Sequence, residues 1–198
     1  MKASELFFGL CRYYSSLGLD KDVSWSSYGL RTMSYFDQLG RMLGYNVRTE
    51  DTLTSDEEWK CPEKLRNKRI DMVWMTPEKN LYVVAIEHQG SKSPEKIKLD
   101  IEKLAQIGCL KVLVVYGQDT GEVKNWIKDI LKKTEDTKGD FLLVSIPYYF
   151  DKTPPEKLQA RLLDRNGKIL GSGIAEARRE KSTGLDFFAN AKWHNVDD

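Results

Sequence analysis

Histidine and cysteine are scarce in this 198-residue chain, which has only His88 and His194, and Cys11, Cys61 and Cys109. With no CxxC pair, a structural zinc site has almost no ligands to draw on. The odd, scattered thiols argue against a disulfide framework, and a reducing cytoplasm is the expected location. A Ser-His-Asp or Cys-His triad would have to recruit one of the two histidines. Long apolar runs are missing too. None approaches the roughly 20 residues that cross a bilayer, so no membrane partner is expected. Glu5 and Arg12 interrupt the N-terminal stretch MKASELFFGLCRYYSSLG, which reads as a helix of the mature protein and not as a signal peptide. Excess charge of one sign is also absent: 31 Lys and Arg against 30 Asp and Glu leave a net +1. Such a protein cannot hold a polyanion by a uniformly basic surface. Any nucleic acid must meet a locally basic face.

What remains is the composition of a globular protein. A hydrophobic fraction of 40% beside 31% charged residues excludes disorder as the general description. The length suits a single domain over residues 1–198 with a core that needs no staple. Leu6, Leu10, Tyr13, Tyr14 and Leu17 recur at helical spacing behind Ser4, and Gly18 stops that helix. A second helix is expected from about Ser27 to Leu43, followed by a short strand at Tyr45, Val47 and Thr49. Two β-prone runs, Lys68 to Thr76 (KRIDMVWMT) and Leu81 to Gln89 (LYVVAIEHQ), are joined by a short turn. A three-residue loop, Glu78 to Asn80, would set position 77 against 81 and Asp71 opposite Glu87. One face then carries Asp71, Val73, Met75, Val83, Ala85 and Glu87, and the other Ile70, Met72, Trp74, Val84, Ile86 and His88. Ser93 and Pro94 open a helix with Ile97, Ile101 and Leu104. A buried strand at Lys111 to Tyr116, a helix around Trp126, a strand at Phe141 to Ile146 and a hairpin about Asn166-Gly167 complete an α/β order. The tail, Phe187 to Asp198, reads as a docking segment or a disordered end.

Asp71 and Glu87 are acidic residues inside otherwise apolar strands, where burial disfavours them. Two carboxylates about 5 Å apart at an effective dielectric near 20 repel by about 3 kcal/mol. A divalent cation, a shared proton, or a neighbouring Lys or Arg would offset that repulsion. Taken alone, Asp71 would be read as a strand residue paired with Arg69 or Lys68. Gln89 emerges on the face of Glu87, and the backbone carbonyl of His88 can turn toward the same space. Asp71, Glu87 and the His88 carbonyl would form a hard oxygen shell suited to Mg²⁺, with Mn²⁺ as a substitute. The His88 ring is expected to face away, into the opposite layer.

The phrase KRIDMVW followed by VVAIEHQ, in the order helix, strand, strand, strand, helix, strand over roughly residues 27 to 116, resembles the core of the PD-(D/E)XK nuclease superfamily, which includes restriction endonucleases and Holliday-junction resolvases. The resemblance implies a restriction endonuclease-like three-layer α/β/α core with a mixed central sheet, spanning about 27–147. An extra N-terminal helix precedes it, and an extension of about 148–198 with a C-terminal β-hairpin follows. It also implies hydrolysis of a DNA phosphodiester by a metal-activated water, with Asp71 and Glu87 as metal ligands. Ile70 stands where the motif has Pro. Gln89 stands where the motif has the Lys that orients water and stabilises developing charge. Gln hydrogen-bonds water but brings no positive charge; some restriction enzymes carry Gln here and remain active. Lys92, Lys96 or Lys103 would supply a cation from the next loop and helix. The family's acid from the helix before the sheet falls on Asp37, with Glu50 as its substitute.

Charge is also unevenly placed. Glu50 to Glu58 holds five acidic and no basic residues, whereas Lys60 to Arg69 holds five basic residues against Glu63, a local 5 − 1 = +4. Lys64, Arg66, Lys68 and Arg69, with Lys92 and Lys96, are the expected phosphate contacts; the bland alternative is a solvated loop. The expectation is a Mg²⁺-dependent DNA endonuclease, dimeric if it cuts both strands. A nuclease-fold protein that has lost catalysis and binds nucleic acid or a protein partner is the alternative.

Overall fold

The computed structural model describes residues 2–16, 25–52, 68–134, 138–150, 152–183 and 185–196. Among them the order is α1 (Ala3–Ser16), α2 (Trp25–Met42), β1 (Asn46–Thr52), β2 (Arg69–Met75), β3 (Tyr82–Gln89), α3 (Pro94–Ala105), β4 (Leu110–Tyr116), α4 (Thr120–Leu131), β5 (Phe141–Ile146), β6 (Lys157–Leu163), β7 (Ile169–Arg179) and β8 (Asp186–Asn195). The eight strands form one mixed sheet in sequence order. The pairs β3–β4 and β4–β5 are parallel and the others antiparallel. Parallel pairing occurs where α3 and α4 carry the chain back across the sheet, as it must where no hairpin can return it.

Helices cover both faces. Leu6, Phe7, Leu10 and Tyr14 of α1 and Phe36 of α2 pack with Met72, Trp74, Val84, Ile86, Val112 and Val114 on one side. Ile97, Ile101 and Leu104 of α3 and Val123 and Ile127 of α4 pack with Val73, Ala85, Leu113 and Val115 on the other. Buried on both faces, the central strands read as continuous apolar runs. Ser93 caps α3, its side chain accepting from the Lys96 amide, with Pro94 in the first turn. Asp119 caps α4 by accepting from the Gly121 amide at 2.6 Å. Lys111, buried at the start of β4, donates to the carbonyls of Cys109, Gly139 and Lys138 and so ties β4 to the segment before β5. No helix among the described residues is long and apolar enough to cross a membrane. Cys11 and Cys109 are free, buried thiols whose pKa is pushed up to about 12 by burial; Cys61 lies outside the described residues.

Three expectations change. The β2–β3 turn has four residues, 77–80, and not three: Thr76 donates to the Leu81 carbonyl at 2.9 Å, and Asn80 takes φ 51. A one-residue shift between Trp74 and Met75 absorbs the difference. Second, of the two readings of the tail, docking is the one seen, and it takes the form of a strand. It forms β8, with Phe188 buried in the α1 face and ring-packed on Tyr14 and Phe150. Third, the expected hairpin about Asn166-Gly167 forms as β6 and β7, but β8 adds a further strand, so the C-terminal addition is a three-stranded meander that continues the main sheet.

Candidate functional site

Away from the turn, the β2–β3 register is the one that sets Asp71 toward Glu87. Trp74 faces Val84, Val73 faces Ala85 and Met72 faces Ile86, after which the ladder ends. One step further, the side chain of Asp71 takes over from the backbone: its Oδ2 accepts from the His88 amide at 2.8 Å. On its other side, β1 pairs Thr49 with Met72 and Asp51 with Ile70, so Glu50 stands opposite Asp71. The two carboxyl-bearing positions thus meet where β2 and β3 part.

Glu87 is 1% exposed, and Lys103 of α3 sets its Nζ 2.6 Å from Glu87 Oε1. The contact is close but lacks hydrogen-bond alignment. The same ammonium lies 2.8 Å from Asp100 Oδ1 and donates to the Arg69 carbonyl at 3.1 Å. Asp100, 6% exposed, uses its other oxygen to accept from Gln89 Nε2 at 2.8 Å. The Gln89 Oε1 in turn accepts from the Ser91 amide at 2.8 Å. Two carboxylates, Glu87 and Asp100, therefore flank one buried cation, and Asp71 stands on the other side of Glu87. Burial first, then the charges of Asp71 and Asp100, push the Glu87 pKa up to about 9 against the opposing pull of Lys103. Burial works against the Lys103 charge, but Glu87 and Asp100 outweigh it and hold its pKa above the usual lysine value. Of the devices that relieve such repulsion, a neighbouring lysine is in place, and the raised pKa favours a proton on Glu87.

The His88 ring points to the opposite layer, as its strand alternation requires. It meets Tyr116 edge-on at 5.1 Å and 71° and lies over Gly29 of α2. Burial lowers its pKa despite the charge of Asp71, so the ring is neutral at physiological pH. Asp37 is not brought to the cluster. Its carboxylate accepts from Arg41 Nε on its own helix at 2.9 Å. The part of α2 that touches β3 beside the site is Gly29, and Asp37 lies about 12 Å further along the helix axis at 1.5 Å per residue, toward Gly40 and Trp74. Glu50 is beside Asp71 in register, but its side chain is turned to Arg69, with Nη1 to Oε2 at 2.5 Å.

Of the expected phosphate contacts, Lys68 and Arg69 are exposed at the start of β2, and Arg69 is engaged by Glu50. Lys92 and Lys96 are exposed around the start of α3, and Lys92 Nζ lies 4.4 Å above the Tyr148 ring. Lys64 and Arg66 lie outside the described residues. Asp100 was not foreseen. Its signal is an acidic residue in the apolar stripe of α3, beside Ile97, Ile101 and Leu104 and three residues before Lys103.

Among the described residues, no group of three or more His, Cys, Asp and Glu side chains is arranged to hold a metal ion. The pair Asp71 and Glu87 nonetheless presents hard oxygen donors, Glu87 Oε1 being buried and met by the Lys103 ammonium without hydrogen-bond alignment. That chemistry fits a divalent cation of the Mg²⁺ type. A scan of family models, a search of curated proteins and a search of solved structures each returned no match.

Proposed function

We propose that this chain is a Mg²⁺-dependent DNA endonuclease on a restriction endonuclease-like fold. The observation that carries the reading is the meeting of Asp71 and Glu87 at the parting of β2 and β3, with the Lys103 ammonium 2.6 Å from Glu87. Asp71 and Glu87, with the His88 carbonyl, would hold Mg²⁺ or Mn²⁺. When bound, the ion supplies a Lewis acid for the scissile phosphate and a water of lowered pKa. Gln89, fixed at both ends of its amide, orients that water by hydrogen bonding. Lys103 supplies the positive charge that Gln89 lacks and stabilises negative charge as it develops on the phosphate. Lys68, Arg69, Lys92 and Lys96 grip flanking phosphates, joined by Lys64 and Arg66. One site per chain cuts one strand, so cleavage of both strands is the work of a homodimer. Two buried free thiols suit a reducing cytoplasm.

One observation favours a second reading, a nuclease-fold protein that binds nucleic acid or a protein without cutting. Lys103 and Gln89 are both already engaged by Asp100. Nicking of supercoiled plasmid with Mg²⁺ or Mn²⁺ separates the two. The nuclease reading expects nicking that is lost in Glu87→Ala and Asp71→Ala. Nicking retained in these variants, or none in the wild type, overturns it.

A further inference from the structure

We infer that Asp100 is a positioning residue of this site, holding the Lys103 ammonium and the Gln89 amide in fixed places; the inference rests on the metal-dependent nuclease reading. Its two oxygens divide the work, Oδ1 lying 2.8 Å from Lys103 Nζ and Oδ2 accepting from Gln89 Nε2 at 2.8 Å. A carboxylate in the apolar stripe of α3, between the fully buried Ile97 and Ile101, is costly to desolvate.

What it provides follows from the competition for Glu87. A divalent cation held by Asp71 and Glu87 repels an ammonium that has only Glu87 as its partner. With Asp100 as a second carboxylate on its own helix, Lys103 stays beside the site when the charge of Glu87 is taken up elsewhere. The amide of Gln89 is governed in the same way. Oε1 accepts from the Ser91 amide and Nε2 donates to Asp100, so the group cannot rotate end for end. One N–H and one lone pair are left, in known directions, for a water. Asp100 thereby replaces, with two separate residues in fixed relation, what a single strand lysine does by itself.

The test uses the full chain and the variant Asp100→Asn, alone and in a Gln89→Met/Lys103→Met background. On supercoiled plasmid with Mg²⁺, the single substitution lowers kcat by about 30- to 100-fold, the scale of a misplaced reacting group, and leaves KM within about twofold. In the double background the same substitution changes kcat by less than about threefold, because the groups it acts through are gone. In the metal-free chain, the Gln89 side-chain amide resonance, identified by its loss in Gln89→Met, moves and exchanges faster with water in Asp100→Asn, while the other amide signals persist. Asp100→Ser takes its place if the Asn variant loses the folded spectrum. A single-variant kcat within threefold of wild type, an equal loss in the double background, or an unmoved Gln89 resonance each overturns the positioning role. A wild-type chain that nicks no plasmid defeats the nuclease reading and, with it, the role in the reaction. An unmoved resonance defeats the contact itself, so the two failures are told apart.

Discussion

The Lys103 ammonium lies 2.6 Å from the buried Glu87 carboxyl, although they belong to different elements, a helix and the strand before it. The positive charge missing from position 89 of the strand is delivered instead from the last turn of α3, through the space between helix and sheet. Removing it exposes what it does. Lys103→Met leaves Asp100 buried without a counterion beside Glu87, and the expected loss is about 3 kcal/mol in urea denaturation at pH 7. Plasmid nicking falls by about 10²-fold. Unchanged stability would mean that the ammonium does not sit between these carboxylates.

The raised pKa of Glu87 sets a pH dependence of stability. A carboxyl with a folded pKa of about 9 against 4.5 binds more protons folded than unfolded throughout that interval. Its contribution is therefore fully present below about pH 4.5 and declines as the pH rises through 9. Glu87→Gln, which stays neutral, is expected to flatten this decline. Thermal melts of both proteins from pH 5 to pH 9 give the comparison, and parallel curves would exclude a protonated Glu87.

Asp71 closes the β2–β3 ladder with its side chain and supplies half of the proposed ion site. Isothermal titration with Mg²⁺ or Mn²⁺ is expected to give binding heat in the wild type and none in Asp71→Ala. Indistinguishable titrations would remove the metal from the proposal.

Gly29 holds α2 against β3. A Cβ there would stand 2.6 Å from His88 Cε1 and 3.0 Å from Nε2. Gly29→Ala must push the ring, and with it the residue whose amide holds Asp71. A loss of about 1–3 kcal/mol is expected in chemical denaturation. Nicking should fall by more than this loss of folded protein explains.

The central register was legible because Asp71 and Glu87 are the acidic residues of two largely apolar runs and a slip by one residue would part them; Ile70, expected on the face of Met72 and Trp74, packs instead with Val73 on the side of α3 and α4. The bulge beside Met75 was not, because it follows from the left-handed Asn80 and the Thr76 side chain accepting from the Leu81 amide, both local to the turn. The strand β8 escaped notice because Asn190, at φ 53, and the shift between Ile174 and Glu176 break its alternation. Asp37 was a choice by residue type, the sole acidic residue of its helix. What decides the outcome is where α2 touches the sheet, and a glycine determines that. Asp100 was hidden by a sequence reading that takes a charged residue in an amphipathic helix to face water, while the fold turns it inward to meet Lys103 and Gln89.

The parting of β2 and β3 at Met72 also bears on the order of events as the chain folds. Asp71 and Glu87 belong to one hairpin with a four-residue turn, a contact that forms early and without distant parts of the chain. Their counterion arrives only when α3 docks to bring β4 alongside β3. During that interval two like charges stand at the open end of an unshielded hairpin. Acid, which neutralises Glu87, and salt, which screens the pair, should therefore speed the early phase of folding more than they raise final stability, and a refolding series in each would register the difference.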